Sequence, residues 1–368
     1  MANARLQADP IEQAEDLIAQ GRAREAAALL RALLDANRGG LLARLTLVRA
    51  LGAAGDGNSA LAVARETTQL HPDIAVAAVA LGEALLNAGH LPTAIGEFQR
   101  ALRLDANDQE ARYGLGLVWL EAGEPEKALE SFAELADTPP VAEKIAQAEA
   151  MRTAPRSNAR YVRHLFDQFS SDYDSRMIGQ LNYRAPAILR ELAALVIGAD
   201  RKRAILDLGC GTGLCGAAFK SMASRLDGID LSPAMIAKAR LHGIYDELAV
   251  ADIESGLNAL NRRYDLILAA DTIVYLGDLA TLFSGVAARL APGGSFLFTA
   301  EAKAGDGFEL GPKRRWRHSQ AYLRDQAAHA GFDISGFVDC VPRSEAGAPV
   351  AGFAVALMKP DSIAGSAE

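Results

Sequence analysis

Three cysteines, Cys210, Cys215 and Cys340, are all that 368 residues provide. They cannot build a disulfide framework, and neither a C-x-x-C pair nor a His-Cys cluster offers metal-ligand spacing. No metal site is expected, and a reducing compartment is. No uncharged apolar run reaches the ~18 residues of a membrane span, because Glu83 and Asp271 interrupt the best candidates. The N-terminus has no apolar core after its first basic residue, so no secretory signal is read there. These absences predict a soluble, cytoplasmic protein with no membrane partner. Basic residues are also in deficit: 38 Lys and Arg against 46 Asp and Glu leave a net charge of −8. Such a chain does not draw its affinity from neutralising phosphates, so nucleic acid is not an expected partner. The one basic patch, Lys313, Arg314, Arg315 and Arg317, reads as a solvated or substrate-facing loop.

What is present is length enough for two domains, with an ordinary 50% of hydrophobic residues. The second half is organised around R-A-I-L-D-L-G-C-G-T-G, Arg203 to Gly213. A short apolar run suits a buried parallel strand, and Gly209, Gly211 and Gly213 let the backbone turn and approach a ligand before a helix begins. Such a loop serves dinucleotides or S-adenosylmethionine. The dinucleotide fingerprint needs a glycine where this chain has Leu214. Asp207, next to the loop, would oppose a pyrophosphate and suit the ammonium and sulfonium of S-adenosylmethionine. The stretch Leu206 to Gly213 resembles the first motif of the class I S-adenosylmethionine-dependent methyltransferases.

The first half is periodic. Glycines at 21, 55, 89 and 123 and alanines at 26, 60, 94 and 128 each step by 34 residues, which chance does not produce twice. Leu17, Leu51, Leu85 and Trp119 share one phase, and Phe98 and Phe132 another. The pattern resembles four tetratricopeptide repeats (TPR), from about residue 7 to 140, with a degenerate first copy and a closing helix at Val141 to Met151. Small residues are expected to let paired helices approach while the large ones fill the gap. The resulting all-α TPR solenoid would span residues 1–151.

A polar linker, Arg152 to Asn158, precedes Tyr161 to Pro186, whose Phe166, Phe169 and Tyr173 fall at helical spacings. They read as a core face, or, by resemblance to the family, as a lid that closes over the cofactor, with Phe169 and Tyr173 near the sulfonium. Residues 152–200 are thus linker and lid, 201–360 the methyltransferase core, and 361–368 a disordered tail.

Strands alternate with helices after Gly213. The second strand ends at Asp230, where a carboxylate meets the ribose hydroxyls of an adenosine ligand, and Ser232-Pro233 starts the next helix. The third ends before Asp252 and Ile253, which the resemblance assigns to the adenine, with Leu231 beside Asp230 in the same site. The fourth is followed by Asp271 to Asp278, the mouth where an acceptor meets the methyl group. Residues 302–317 form a polar insertion. Within it, Arg315 to Ser319 resembles an Arg-Tyr-x-His-Ser element of bacterial TPR-repeat methyltransferases, with Trp316 for tyrosine. Two last strands form the terminal antiparallel hairpin of a seven-stranded, Rossmann-like α/β sheet. No N-P-P-Y, D-P-P-Y or Pro-Cys element occurs, so likeness to the amino-group and cytosine-C5 enzymes is absent.

The resemblance implies methyl transfer from S-adenosylmethionine, leaving S-adenosylhomocysteine, to a small-molecule acceptor. The repeats would then serve protein interaction, self-association or the wall of the pocket. A protein methyltransferase that grips its target through the repeats, and a non-catalytic binder of the cofactor, stay open. His318, Tyr275 and Asp271 are the candidate general bases, needed only if the acceptor arrives protonated.

Overall fold

A computed structural model of the chain describes residues 9–135, 138–170, 173–198, 201–311 and 314–361, the side chains of Gln168 and Phe169 excepted. It divides between Thr153 and Ala154 into two compact units. The expected tail, apart from Asp361, lies outside the described residues, as does Lys313 of the basic patch.

The first unit is a run of helices: α1 (Pro10–Ala19), α2 (Ala23–Asp35), α3 (Gly40–Ala53), α4 (Gly57–Leu70), α5 (Ala75–Asn87), α6 (Leu91–Leu104), α7 (Gln109–Glu121), α8 (Pro125–Phe132) and α9 (Pro139–Thr153). Each 34-residue step is a helix pair. The period glycines follow α1, α3, α5 and α7 with φ of 76, 79, 77 and 69°. The amide after each one bonds back to the residue shared in phase: Arg22 to Leu17 at 2.8 Å, and Asp56 to Leu51, His90 to Leu85 and Glu124 to Trp119 at 2.9 Å. That is a left-handed helix stop, which glycine adopts without a Cβ penalty.

The glycines are therefore conformational, not the close-approach positions expected from the sequence. A Cβ on Gly21 or Gly55 would meet nothing within 4 Å. Close approach occurs instead at Gly82 and Gly114, where a Cβ would lie 2.9 and 2.3 Å from the Phe98 ring, and at Gly116, 2.2 Å from Phe132. The period alanines are buried as expected, and so are both rings. Pro139 and Pro140 open α9, where a missing N–H costs nothing.

The second unit begins with α10 (Ala159–Phe169), α11 (Tyr173–Gly179) and α12 (Ala185–Val196). Then come β1 (Arg203–Leu208), α13 (Leu214–Phe219), β2 (Ala223–Asp230), α14 (Pro233–Leu241), β3 (Glu247–Val250), α15 (Ile253–Ala259), β4 (Tyr264–Ala269), α16 (Ala280–Arg289) and β5 (Leu290–Ala302). The chain continues through β6 (Phe308–Leu310), β7 (Trp316–His318), α17 (Gln320–His329), β8 (Asp333–Cys340), β9 (Ser344–Glu345), β10 (Ala348–Pro349) and β11 (Gly352–Met358). The main sheet runs β3-β2-β1-β4-β5-β11-β8, with β11 antiparallel to both neighbours. The insertion is a hairpin: β7 pairs parallel with the end of β5, and β6 with β7.

Strand alternation sorts the core. Leu206, Leu208, Ile267, Phe296 and Phe298 face α15, α16 and α17, whereas Ile205, Leu266, Leu268 and Leu297 face α12 and α13. The order reverses between β1 and β4, so a crevice opens beyond their carboxyl ends.

Candidate cofactor and active site

The amides of Gly209 and Cys210 donate to the Ile229 carbonyl at 2.8 and 3.0 Å, which ties the glycine loop to β2. Gly209 and Gly211 have φ of 66 and 54° and line a cleft together with Asp230, Leu231, Asp252 and Ile253. A Cβ on Gly211 would meet nothing, whereas on Gly209 it would sit 2.5 Å from Thr272. The loop therefore offers bare backbone to a ligand. Asp230 stands beside it, Oδ2 accepting from the Gly211 amide at 2.9 Å and Oδ1 from the Ser232 amide at 2.8 Å. Burial raises its pKa against the pull of these bonds. Each oxygen keeps a lone pair for a hydroxyl. Leu231, Asp252 and Ile253 line the same cleft.

Two loops at the carboxyl edge, those after β1 and β2, are bonded to the segment that the sequence offered as a lid. Thr212 donates to Asp174 Oδ1 at 2.5 Å, and Arg163 Nε donates to the Leu231 carbonyl at 3.2 Å. The Ser232 hydroxyl donates to Asp167. Phe166 and Tyr173 from this segment line the cleft with Tyr275, and Phe166 meets both tyrosines edge-on, at 6.1 and 5.6 Å. Phe169 ends α10, but its side chain is outside the described residues.

Several expected site residues lie elsewhere. Asp207 has the parity of Ile205, so it points into the helix layer and not into the cleft. Its Oδ2 accepts from the Tyr245 hydroxyl at 2.7 Å, its Oδ1 is buried without a partner, and burial lifts its pKa to about 7. Gly213 caps α13 against Tyr245 and does not reach the cleft.

His318 is fully buried under the inserted hairpin. Its Nε2 lies 3.1 Å from the Gly277 carbonyl, and its ring stacks on Tyr322. Burial pushes its pKa down to about 4. It is a packing residue rather than a base. Asp271 does line the cleft, at φ 56°, but its Oδ1 accepts from Arg315 at 2.9 Å and Arg343 at 2.6 Å, which removes that oxygen from base duty. Tyr275 stays in the cleft with the Arg315 guanidinium 5.5 Å from its ring, and burial raises its pKa.

The sequence reading missed what three residues do. Arg156 was placed in the linker, yet it lines the cleft and bonds Asp252 at 2.6 Å. Thr272 donates to the Leu208 carbonyl at 3.0 Å and abuts Gly209. Arg343, 1% exposed, joins Asp271, Glu301 and Glu345. A lone arginine in a polar turn gives no periodic signal of such burial.

Comparisons with known proteins agree with this architecture. A family model described as a methyltransferase domain matches residues 205–294, and one for the tetratricopeptide repeat matches 45–109 and 79–143. Methyltransferase-like protein 27 of Homo sapiens is 34% identical over 108 residues, 28% of this chain and 44% of that protein. A ubiquinone biosynthesis O-methyltransferase of Alkalilimnicola ehrlichii is 29% identical over 113 residues, 30% and 46% of the two chains. A malonyl-[acyl-carrier protein] O-methyltransferase of Pseudescherichia vulneris is 29% identical over 145 residues, 39% and 55%. The chain thus spans about half or less of the length of these relatives. A magnesium protoporphyrin IX methyltransferase from Synechocystis, crystallised with S-adenosylmethionine, superposes over 55% of this chain and 96% of its own at 18% identity and a TM-score of 0.43. The chain carries tetratricopeptide repeats followed by a class I, S-adenosylmethionine-dependent methyltransferase domain.

Proposed function

We propose that the chain transfers a methyl group from S-adenosylmethionine to a carboxylate oxygen of a small-molecule acceptor. The observation that carries this reading is the state of the three candidate bases. His318 is outside the cleft, Asp271 is bonded to two arginines, and Tyr275 has a raised pKa. An acceptor that arrives already ionised needs none of them. The relatives named above as O-methyltransferases act on oxygen, which supports an oxygen acceptor here.

The cofactor, when bound, supplies a methyl group on a sulfonium already activated for displacement. Gly209 and Gly211 give it bare backbone, and Asp230 accepts from the ribose hydroxyls. Leu231 and Ile253 pack on the nucleoside. Tyr173 and Tyr275 present ring faces to the cationic sulfur, while Phe166 holds both rings. Alignment of nucleophile, methyl carbon and sulfur then supplies most of the acceleration. The repeats serve as an interaction surface.

Incubation with methyl-labelled S-adenosylmethionine and a panel of carboxylic acids and phenols tests the reading. Label should enter methyl esters at a rate that is flat from about pH 6 to 8, where carboxylates are fully ionised. Label found only in phenol ethers or in added protein would refute it.

A further inference from the structure

Arg156 enters the cleft from the segment ahead of α10 and divides its guanidinium between two acids. One Nη lies 2.6 Å from Asp252 Oδ2, and the other bonds Glu254. The backbone around it is fixed independently. The Pro155 carbonyl accepts from the Gly277 and Asp278 amides at 2.7 and 2.9 Å, and the Ser157 amide donates to the Tyr275 carbonyl at 2.8 Å.

Asp252 is also engaged from behind. Its Oδ1 caps α15, accepting from the Glu254 and Ser255 amides at 3.1 and 3.4 Å. An ionised carboxylate has about four lone-pair positions and a guanidinium five N–H donors, so both groups keep spare capacity. Arg156, Asp252 and the apolar Ile253 line the same cleft. The chain thereby holds an acceptor and a donor side by side, next to the apolar Ile253.

The Watson–Crick edge of adenine carries the complement, an amino donor beside the N1 acceptor. We propose that Arg156 is the second half of an adenine reader: it donates to N1 while Asp252 accepts from the amino group. The proposal rests on the S-adenosylmethionine reading above. Hypoxanthine reverses both groups, setting a keto oxygen against Asp252 and an N1–H against Arg156, and should be rejected.

The test is calorimetric titration of the full chain with S-adenosylhomocysteine and with S-inosylhomocysteine. Wild type should prefer the adenine compound. Arg156→Ala should weaken S-adenosylhomocysteine by about tenfold, the loss of one hydrogen bond to a charged group, and leave S-inosylhomocysteine unchanged or tighter. Arg156→Lys, which keeps a donor, should recover part of the preference. A role only in holding the segment in place would weaken both ligands alike. An unchanged ratio in Arg156→Ala, with its ligand-free melting temperature intact, would overturn the proposal. Wild type that binds neither compound would instead overturn the cofactor reading, and this inference with it.

Discussion

The carboxylate of Asp230, last residue of β2, accepts at 2.9 Å from the amide of Gly211, the middle glycine of the loop after β1. This pairing fixes the carboxylate proposed to meet the ribose. A carboxylate with two backbone bonds is fixed in place beside the cleft it lines. Asp230→Ala should weaken S-adenosylhomocysteine by about ten- to a hundredfold, the range for losing hydrogen bonds to a charged group. Affinity equal to wild type would remove Asp230 from the ribose site.

Gly211 separates binding from folding. Its φ of 54° makes a side chain cost about 1–2 kcal/mol, and a Cβ there would enter open space. Gly211→Val should lower the melting temperature by a few degrees and abolish cofactor binding by filling the cleft. Undiminished binding in that variant would mean that the ligand approaches elsewhere.

In the repeats, Gly116 and Phe132 are coupled by contact. A Cβ on Gly116 would lie 2.2 Å from the ring, so Gly116→Ala should destabilise by about 1–3 kcal/mol through overpacking. Phe132→Leu in that background should return part of the loss. Denaturant melts that show strictly additive effects would contradict this packing.

Acid and base stability should carry two opposed contributions. His318 falls from 6.5 to about 4 on folding, so the unfolded state binds more protons between those values. Its contribution is complete above pH 6.5 and lost as pH drops toward 4. The loss is on the order of 3 kcal/mol. Asp207 rises from 3.8 to about 7, so its contribution is largest at low pH and declines as pH rises through that window. Unfolding free energies of His318→Phe should lose the rising limb, and those of Asp207→Asn the falling one. A His318→Phe profile parallel to wild type would place the titration elsewhere.

Much of this was legible in the sequence because it is written in periods and spacings. The 34-residue step marked the helix pairs, and the glycine loop after one strand with Asp230 at the end of the next marked the first βαβ unit. What the glycines do was not legible, since a period shows that Gly55 recurs but not whether it turns the chain or admits a ring. Alternation along β1 could have turned Asp207 away from the cleft, had its parity with Ile205 been weighed above its nearness to the loop. His318 and Arg156 exchanged importance for a different reason. A hairpin at residues 308–318 buries the one, and a bridge from Arg156 to Leu276 brings in the other. Both depend on contacts distant in sequence.

The most direct test of the account is calorimetric titration of the purified chain with S-adenosylmethionine, S-adenosylhomocysteine and NAD in turn. Saturable binding of the two sulfur nucleosides at one site, with no heat from NAD, is the predicted result. Binding of NAD, or of neither sulfur nucleoside, would contradict it.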